Sequence, residues 1–170
     1  LREQGIEEGR TDLRSFRDEI VEFQEGRYRP ARYSNTRTAV WPHDAEHFQD
    51  MYFCREAEAF LRRYRNRPFA MFLYLWAPHP PLRVPEPYAS LFDPDALSLP
   101  PNVGQAAEAE PRGRRRGAAA QIGSSLSESQ WRDVWAAHLG LVRLADEGLG
   151  KVLAALDETG RADKTFVLFT

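Results

Sequence analysis

Hydrophobic and polar positions along this chain change rhythm several times, and each change marks an element. Between Asp12 and Glu25, the residues Leu13, Phe16, Ile20 and Phe23 recur at spacings of three and four. That predicts a short amphipathic helix, ended by Gly26. Tyr28 to Pro42 lacks any such rhythm and reads as a loop with a short strand at Thr38–Val40. Helical spacing returns from Asp44 to Tyr64, where Phe48, Met51, Tyr52, Ala59 and Phe60 supply a face to bury. Asp44 follows Pro42 as the expected N-cap. Arg62, Arg63, Arg65 and Arg67 crowd the other end, where cations suit the helix dipole. Phe69 to Trp76 is a continuous apolar run, expected to be a buried strand.

The widest apolar stripe comes last. Trp131, Val134, Trp135, Leu139, Val142, Leu149, Val152, Leu153 and Leu156 predict a helix over Gln130–Thr159 that packs against a sheet. Ser127 with Gln130 makes a capping box before it, and Gly160 stops it. Thr165 to Thr170 is a second β-rich run. Strand, helix and strand in that order predict a parallel pair with a right-handed helical crossover, and so an α/β fold.

Leu97 to Gln130 interrupts these elements. It holds Pro100, Pro101, Pro111 and the run Arg112 to Gly117, and is expected to be a mobile loop or insertion. Arg114, Arg115 and Arg116 read as a solvated loop tip. The net charge of -2 argues against a nucleic-acid footprint and against a polybasic membrane anchor. No run of about 18 or more apolar residues is present, so no transmembrane helix and no membrane insertion are expected. One cysteine, Cys54, excludes an internal disulfide.

The chemistry concentrates where the apolar run Phe69–Trp76 breaks into Ala77-Pro78-His79-Pro80-Pro81-Leu82. In open α/β sheets ligands bind beyond the carboxyl ends of strands, and His79 falls there. The prolines fix φ and remove backbone donors, so the loop is stiff without being helical or paired. From the residues alone, His79 either contacts a ligand or hydrogen-bonds within a proline-rich surface loop. His43-Asp44-Ala45-Glu46-His47 matches H-x-x-E-H, a spacing that can bind zinc. Pro42 and the N-cap at Asp44 put His43 outside the helix, which spoils the geometry. His138, Asp146, Lys151 and Lys164 read as helix-packing or solvated residues.

The stretch Pro68 to Asn102, PFxxFLYLxxPHPPLxxPEPYxxLFDPxxLxLPPN, resembles the middle of the arylsulfatase-like sulfatase family, in the alkaline-phosphatase-like superfamily. Trp131 to Thr170, with its D…G…L…L…G…D rhythm and its T-x-V-x-F-T ending, resembles the same family. The resemblance implies part of an alkaline-phosphatase-like mixed sheet flanked by helices. It implies hydrolysis of a small-molecule or saccharide sulfate ester. It also implies a formylglycine made in a C-x-P-S-R-like motif, and a divalent metal, usually calcium. Cys54 lies in Tyr52-Phe53-Cys54-Arg55-Glu56-Ala57 and does not match that motif. The family's D-H-G-like metal segment follows a strand like the one ending at Phe169-Thr170. Residues 1–170 are therefore expected to be a partial catalytic domain, with the nucleophile and every metal ligand outside this chain. The histidine of the A-P-H-x-P segment, His79 here, is the substrate-binding residue that the resemblance implies.

Two rivals stand beside this reading. One is a phosphoryl or phosphonate ester hydrolase of the same superfamily. The other is a non-catalytic binding or structural module, if the gene encodes these residues alone.

Overall fold

The computed structural model describes residues 19–24, 27–31, 36, 38–103, 109–111, 114, 123 and 126–170. Among the described residues the strands are β1 Glu19–Gln24, β2 Arg27–Ala31, β3 Thr38–Trp41 and β4 Leu82–Pro85, and the long α-helices are α1 Gln49–Tyr64 and α2 Glu128–Glu158. β1 and β2 form an antiparallel hairpin with an irregularity between Ile20 and Glu22. That corrects the helix expected over Asp12–Glu25. The β-branched pair Ile20-Val21 favours a strand, and Arg27–Ala31 supplies the ladder partner that spacing alone cannot reveal. The part of that expected helix before Glu19, with Leu13 and Phe16, lies outside the described residues.

β3 and β4 pair in parallel, Thr38 opposite Leu82 through Trp41 opposite Pro85. α1 lies between them in sequence, so a mixed α/β arrangement is present, but its parallel pair is not the expected one. Phe69–Trp76 and Thr165–Thr170 join no ladder among the described residues. Phe69–Trp76 alternates instead. Phe69, Met71, Leu73 and Leu75 pack on the helices, while Phe72, Tyr74 and Trp76 are exposed. Phe166, Val167, Leu168 and Phe169 are exposed as well. A strand can be buried on both faces only where neighbours pair with it and a second layer covers it. The described residues cover Phe69–Trp76 on one face.

The helix boundaries follow local chemistry. Asp44 precedes a 3-10 turn, Ala45–His47, and its side chain makes no cap hydrogen bond. Phe48 is then extended, at φ -66° and ψ 140°, and α1 begins at Gln49. This corrects the single helix expected from Asp44. The buried face of α1 is Asp50, Met51, Cys54, Ala57 and Leu61; Ala59, expected inside, is exposed. α2 opens as its sequence predicts. The Gln130 backbone N–H donates to Ser127 Oγ at 3.2 Å, and the Ser127 N–H to Gln130 Oε1 at 2.9 Å. It closes on Gly160 at φ 65°, with Gly160 N–H donating to Asp157 O and Arg161 N–H to Leu156 O. That is the Schellman arrangement, in which a residue without Cβ takes the left-handed position.

The core has two adjoining parts. Met51, Leu82, Val84, Tyr88, Val134, Leu141 and Leu144 join the β3–β4 pair to the first half of α2. Cys54, Ala57, Leu61, Val152, Ala155 and Leu156 form the seam between the helices. A Cβ on Gly148 would lie 2.7 Å from Cys54 Sγ, and Glu158 pairs with Arg62 at 3.1 Å, so α1 and α2 run in the same direction. α2 therefore packs on the sheet, as expected, through its first half and on α1 through its second. Small residues on α2 are buried, Gly148 and Ala155 in the seam with α1 and Gly140 against Tyr88 and Val84, whereas Val142 and Leu153 are exposed. No helix among the described residues is long and apolar enough to cross a membrane.

Candidate active site around His79

His79 stands in a turn that the sequence constructs almost without backbone donors. Pro78, Pro80 and Pro81 have no N–H. The N–H of His79 donates to Trp76 O at 2.8 Å and closes the turn. Its ring lies 4.4 Å from the Trp76 ring, tilted by 45°. His79 Nδ1 lies 2.6 Å from the carbonyl oxygen of Pro80. A carbonyl only accepts, so this hydrogen bond places a proton on Nδ1. Nε2 is then the nitrogen left for a ligand, and the residue is exposed. Neutral His79 offers a lone pair at Nε2; the imidazolium offers a second N–H.

The turn is attached to α1 through Asp50. Asp50 Oδ1 accepts from the Trp76 N–H at 2.5 Å and from the Ala77 N–H at 2.9 Å. The residue is 1% exposed, and its Oδ2 is buried without a partner among the described residues. Sequence reading passed over Asp50. The available signal was an acid at a position that shares the buried face with Cys54, Ala57 and Leu61, where a carboxylate is costly unless it is bonded.

On the other side of the loop, β4 leads to Tyr88. Its hydroxyl donates to Glu147 Oε2 at 2.7 Å. Burial, followed by the Glu147 bond, pushes the Tyr88 phenol up to about 12. The same bond, with help from Lys151, holds the Glu147 carboxyl below its usual value. This pair locks the Pro-Glu-Pro-Tyr segment onto α2 and leaves Lys151 occupied at 3.0 Å from Glu147.

The remaining sequence candidates are dispersed. His43 packs edge-on against Trp41 at 5.3 Å. Asp44, Glu46 and His47 have ligand atoms within 4.8 Å of one another, with both acids exposed, and His43 is not in that group. His138 stacks on Trp135 at 5.5 Å, and burial lowers its pKa. Asp146 pairs with Arg143 at 2.8 Å, and Lys164 and Arg114 are exposed. Arg112, Arg115 and Arg116 lie outside the described residues, together with much of the expected loop 97–130.

Cys54 does not fit the formylglycine precursor. It is 1% exposed, and burial, then the Asp50 and Glu58 carboxylates, push its thiol up to about 11. It faces Gly148 in the helix seam. The exposed Asp44–Glu46–His47 turn has two carboxylates and one imidazole but no buried, preorganised donor set. The described residues therefore do not fit a formylglycine or calcium centre of the family's kind.

Comparison with known proteins agrees with this α/β frame. Over 132 residues the chain is 31% identical to the multifunctional alkaline phosphatase superfamily protein PehA of Trinickia caryophylli, covering 70% of this chain and 26% of PehA. Among solved structures it is similar to the phosphonate monoester hydrolase SpPMH from Silicibacter pomeroyi. That match has a TM-score of 0.61 and 23% identity, and covers 97% of this chain and 33% of SpPMH. The chain thus spans about a quarter of the curated relative and a third of the structural one. The family model for sulfatases matches residues 8–170, and on that match, with 163 of 170 positions inside it, the chain belongs to the sulfatase family.

Proposed function

We propose that this chain is the part of a sulfuric ester hydrolase that binds the ester through His79. The observation that carries the proposal is the state of that side chain: exposed, tilted against the Trp76 ring, with Nδ1 committed to Pro80 O and Nε2 turned to no protein partner in any described contact. A sulfate ester presents only acceptor oxygens to it. His79 therefore donates to the ester from Nε2 as the imidazolium, because its other proton is already spent on Pro80. A charged donor aimed at an oxygen that gains charge in the transition state contributes on the order of 3 kcal/mol. The formylglycine nucleophile and the divalent metal, calcium in this reading, belong to segments outside residues 1–170. The substrate is a small-molecule or saccharide sulfate ester.

A second reading has its own support. The structural relative carries the name of a phosphonate monoester hydrolase, and the curated one that of a multifunctional member of the alkaline phosphatase superfamily. A phosphonate monoester offers His79 the same acceptor oxygens, so this site serves either ester. Steady-state kinetics of the complete gene product on p-nitrophenyl sulfate and p-nitrophenyl phenylphosphonate tests the choice. A higher kcat/KM for the sulfate is expected. A higher value for the phosphonate transfers the proposal to the second reading. Turnover of neither ester, in protein shown to be folded, leaves a binding module.

A further inference from the structure

Asp50 stands on the apolar face of α1 and is 1% exposed. A carboxylate there gives up its hydration and needs replacements. The first turn of a helix supplies some, since the positive end of the helix dipole favours an anion. Two backbone N–H groups supply more, both to Oδ1, while Oδ2 is left without a partner among the described residues. They belong to Trp76 and Ala77, the residues that lead into the His79 turn. From Trp76 to Pro81 the chain has three backbone N–H groups, because Pro78, Pro80 and Pro81 have none. Asp50 holds two of them, and the third, on His79, is spent inside the turn on Trp76 O. Every backbone donor of the turn is thus used, and the only ones bonded to another element are bonded to Asp50.

We propose that Asp50 is the positioning residue for His79. It fixes the turn on α1, and the turn fixes the imidazole through the Trp76 ring and the Pro80 carbonyl. The proposal rests on the reading that His79 contacts the ester. It adds that the contact depends on a buried acid 29 positions earlier in the chain. Misplacing a reacting or stabilising group by an ångström costs up to about 10²-fold in rate, so loss of the tether reads out in kcat.

A double-mutant cycle in the complete gene product tests it. The variants are Asp50→Ala, His79→Ala, the pair together, and Asp50→Asn. The substrate is whichever of p-nitrophenyl sulfate and p-nitrophenyl phenylphosphonate the wild type turns over faster. Asp50→Ala is expected to lower kcat by about 10-fold or more. Asp50→Asn, whose amide oxygen can accept both N–H groups, is expected to stay within about 3-fold of wild type. The double variant is expected to be no slower than His79→Ala, since the tether has nothing left to position. If the two losses multiply instead, Asp50 acts apart from His79 and the proposal is overturned while the His79 reading stands. Wild-type kcat in Asp50→Ala overturns it equally. Wild-type kinetics in His79→Ala overturns both. Should Asp50→Ala fail to fold, Asp50→Glu replaces it in the same cycle; it keeps the charge and moves the acceptor by one methylene.

Discussion

Cys54 shows how burial sets the behaviour of an ionisable group in this fold. Its thiol sits between α1 and α2 with its pKa pushed up from 9.0 to about 11, first by burial and then by the Asp50 and Glu58 carboxylates. The folded state thus favours the neutral thiol more than the unfolded state does. Stability from this group is complete below about pH 9 and is lost as pH rises towards 11. The loss across that window is on the order of 2 kcal/mol. Thermal melts from pH 8 to pH 11 should therefore fall more steeply in wild type than in Cys54→Ala, in steps that the Tyr88 phenol does not complicate because both proteins carry it. Parallel pH profiles for the two proteins would show that the thiol is not held neutral by the fold. At this scale the sequence was half legible. His79 could be singled out because prolines on both sides isolate it. The place of Asp50 on the buried face of α1 was readable, but its partners were not, because they are N–H groups 26 and 27 positions away. Cys54 lacks the family's nucleophile motif in the sequence, and its burial in the helix seam could not be read there.

α2 comes close to its neighbours at glycines, Gly148 against Cys54 of α1 and Gly140 against Tyr88 and Val84, and their substitution separates packing from propensity. A Cβ on Gly140 would lie 2.6 Å from the carbonyl oxygen of Tyr88 and 3.0 Å from Val84 Cγ1. The first contact is backbone, in a segment anchored by the Tyr88–Glu147 bond, so it yields only if α2 moves. Gly150 lies on the same helix with nothing within 4 Å of a new Cβ. Alanine is favoured over glycine in a helix by about 1 kcal/mol, while overpacking costs about 1–3 kcal/mol. Gly150→Ala should therefore raise the melting temperature of the complete gene product and Gly140→Ala should lower it. A rise for both would mean that the α2 seam is looser than the geometry states. Helix ends were legible where side chains write them. Ser127 with Gln130 and the glycine at 160 fix α2 to within a residue or two of expectation. The start of α1 was not legible, because a 3-10 turn follows Asp44 and an extended Phe48 breaks the path before the helix proper. The β1–β2 hairpin was hidden for a related reason. Apolar spacing over Asp12–Glu25 fits a helix, but pairing with Arg27–Ala31 is a non-local choice.

Across the whole molecule, the expectation of an α/β frame holds and the expected strand pairing does not. Phe69–Trp76 and Thr165–Thr170 have the composition of buried strands. Yet Phe72, Tyr74, Phe166 and Phe169 are each more than three-quarters exposed. Composition reports what a segment can bury, while burial needs partners, and the described residues provide a covering layer on one face of Phe69–Trp76 only. The chain's share of its relatives, 26% of PehA and 33% of SpPMH, is consistent with the proposal that further segments complete the catalytic centre. In that proposal, this chain's contribution to the centre is His79 on its proline-bounded turn, tethered to α1, which packs on α2. The direct test is steady-state kinetics of His79→Ala in the complete gene product, with His43→Ala and His47→Ala as controls and thermal melts to establish folding. The account predicts that kcat of His79→Ala falls by about 10²-fold or more at an unchanged melting temperature, while both controls stay near wild type. Wild-type kinetics in folded His79→Ala would contradict it.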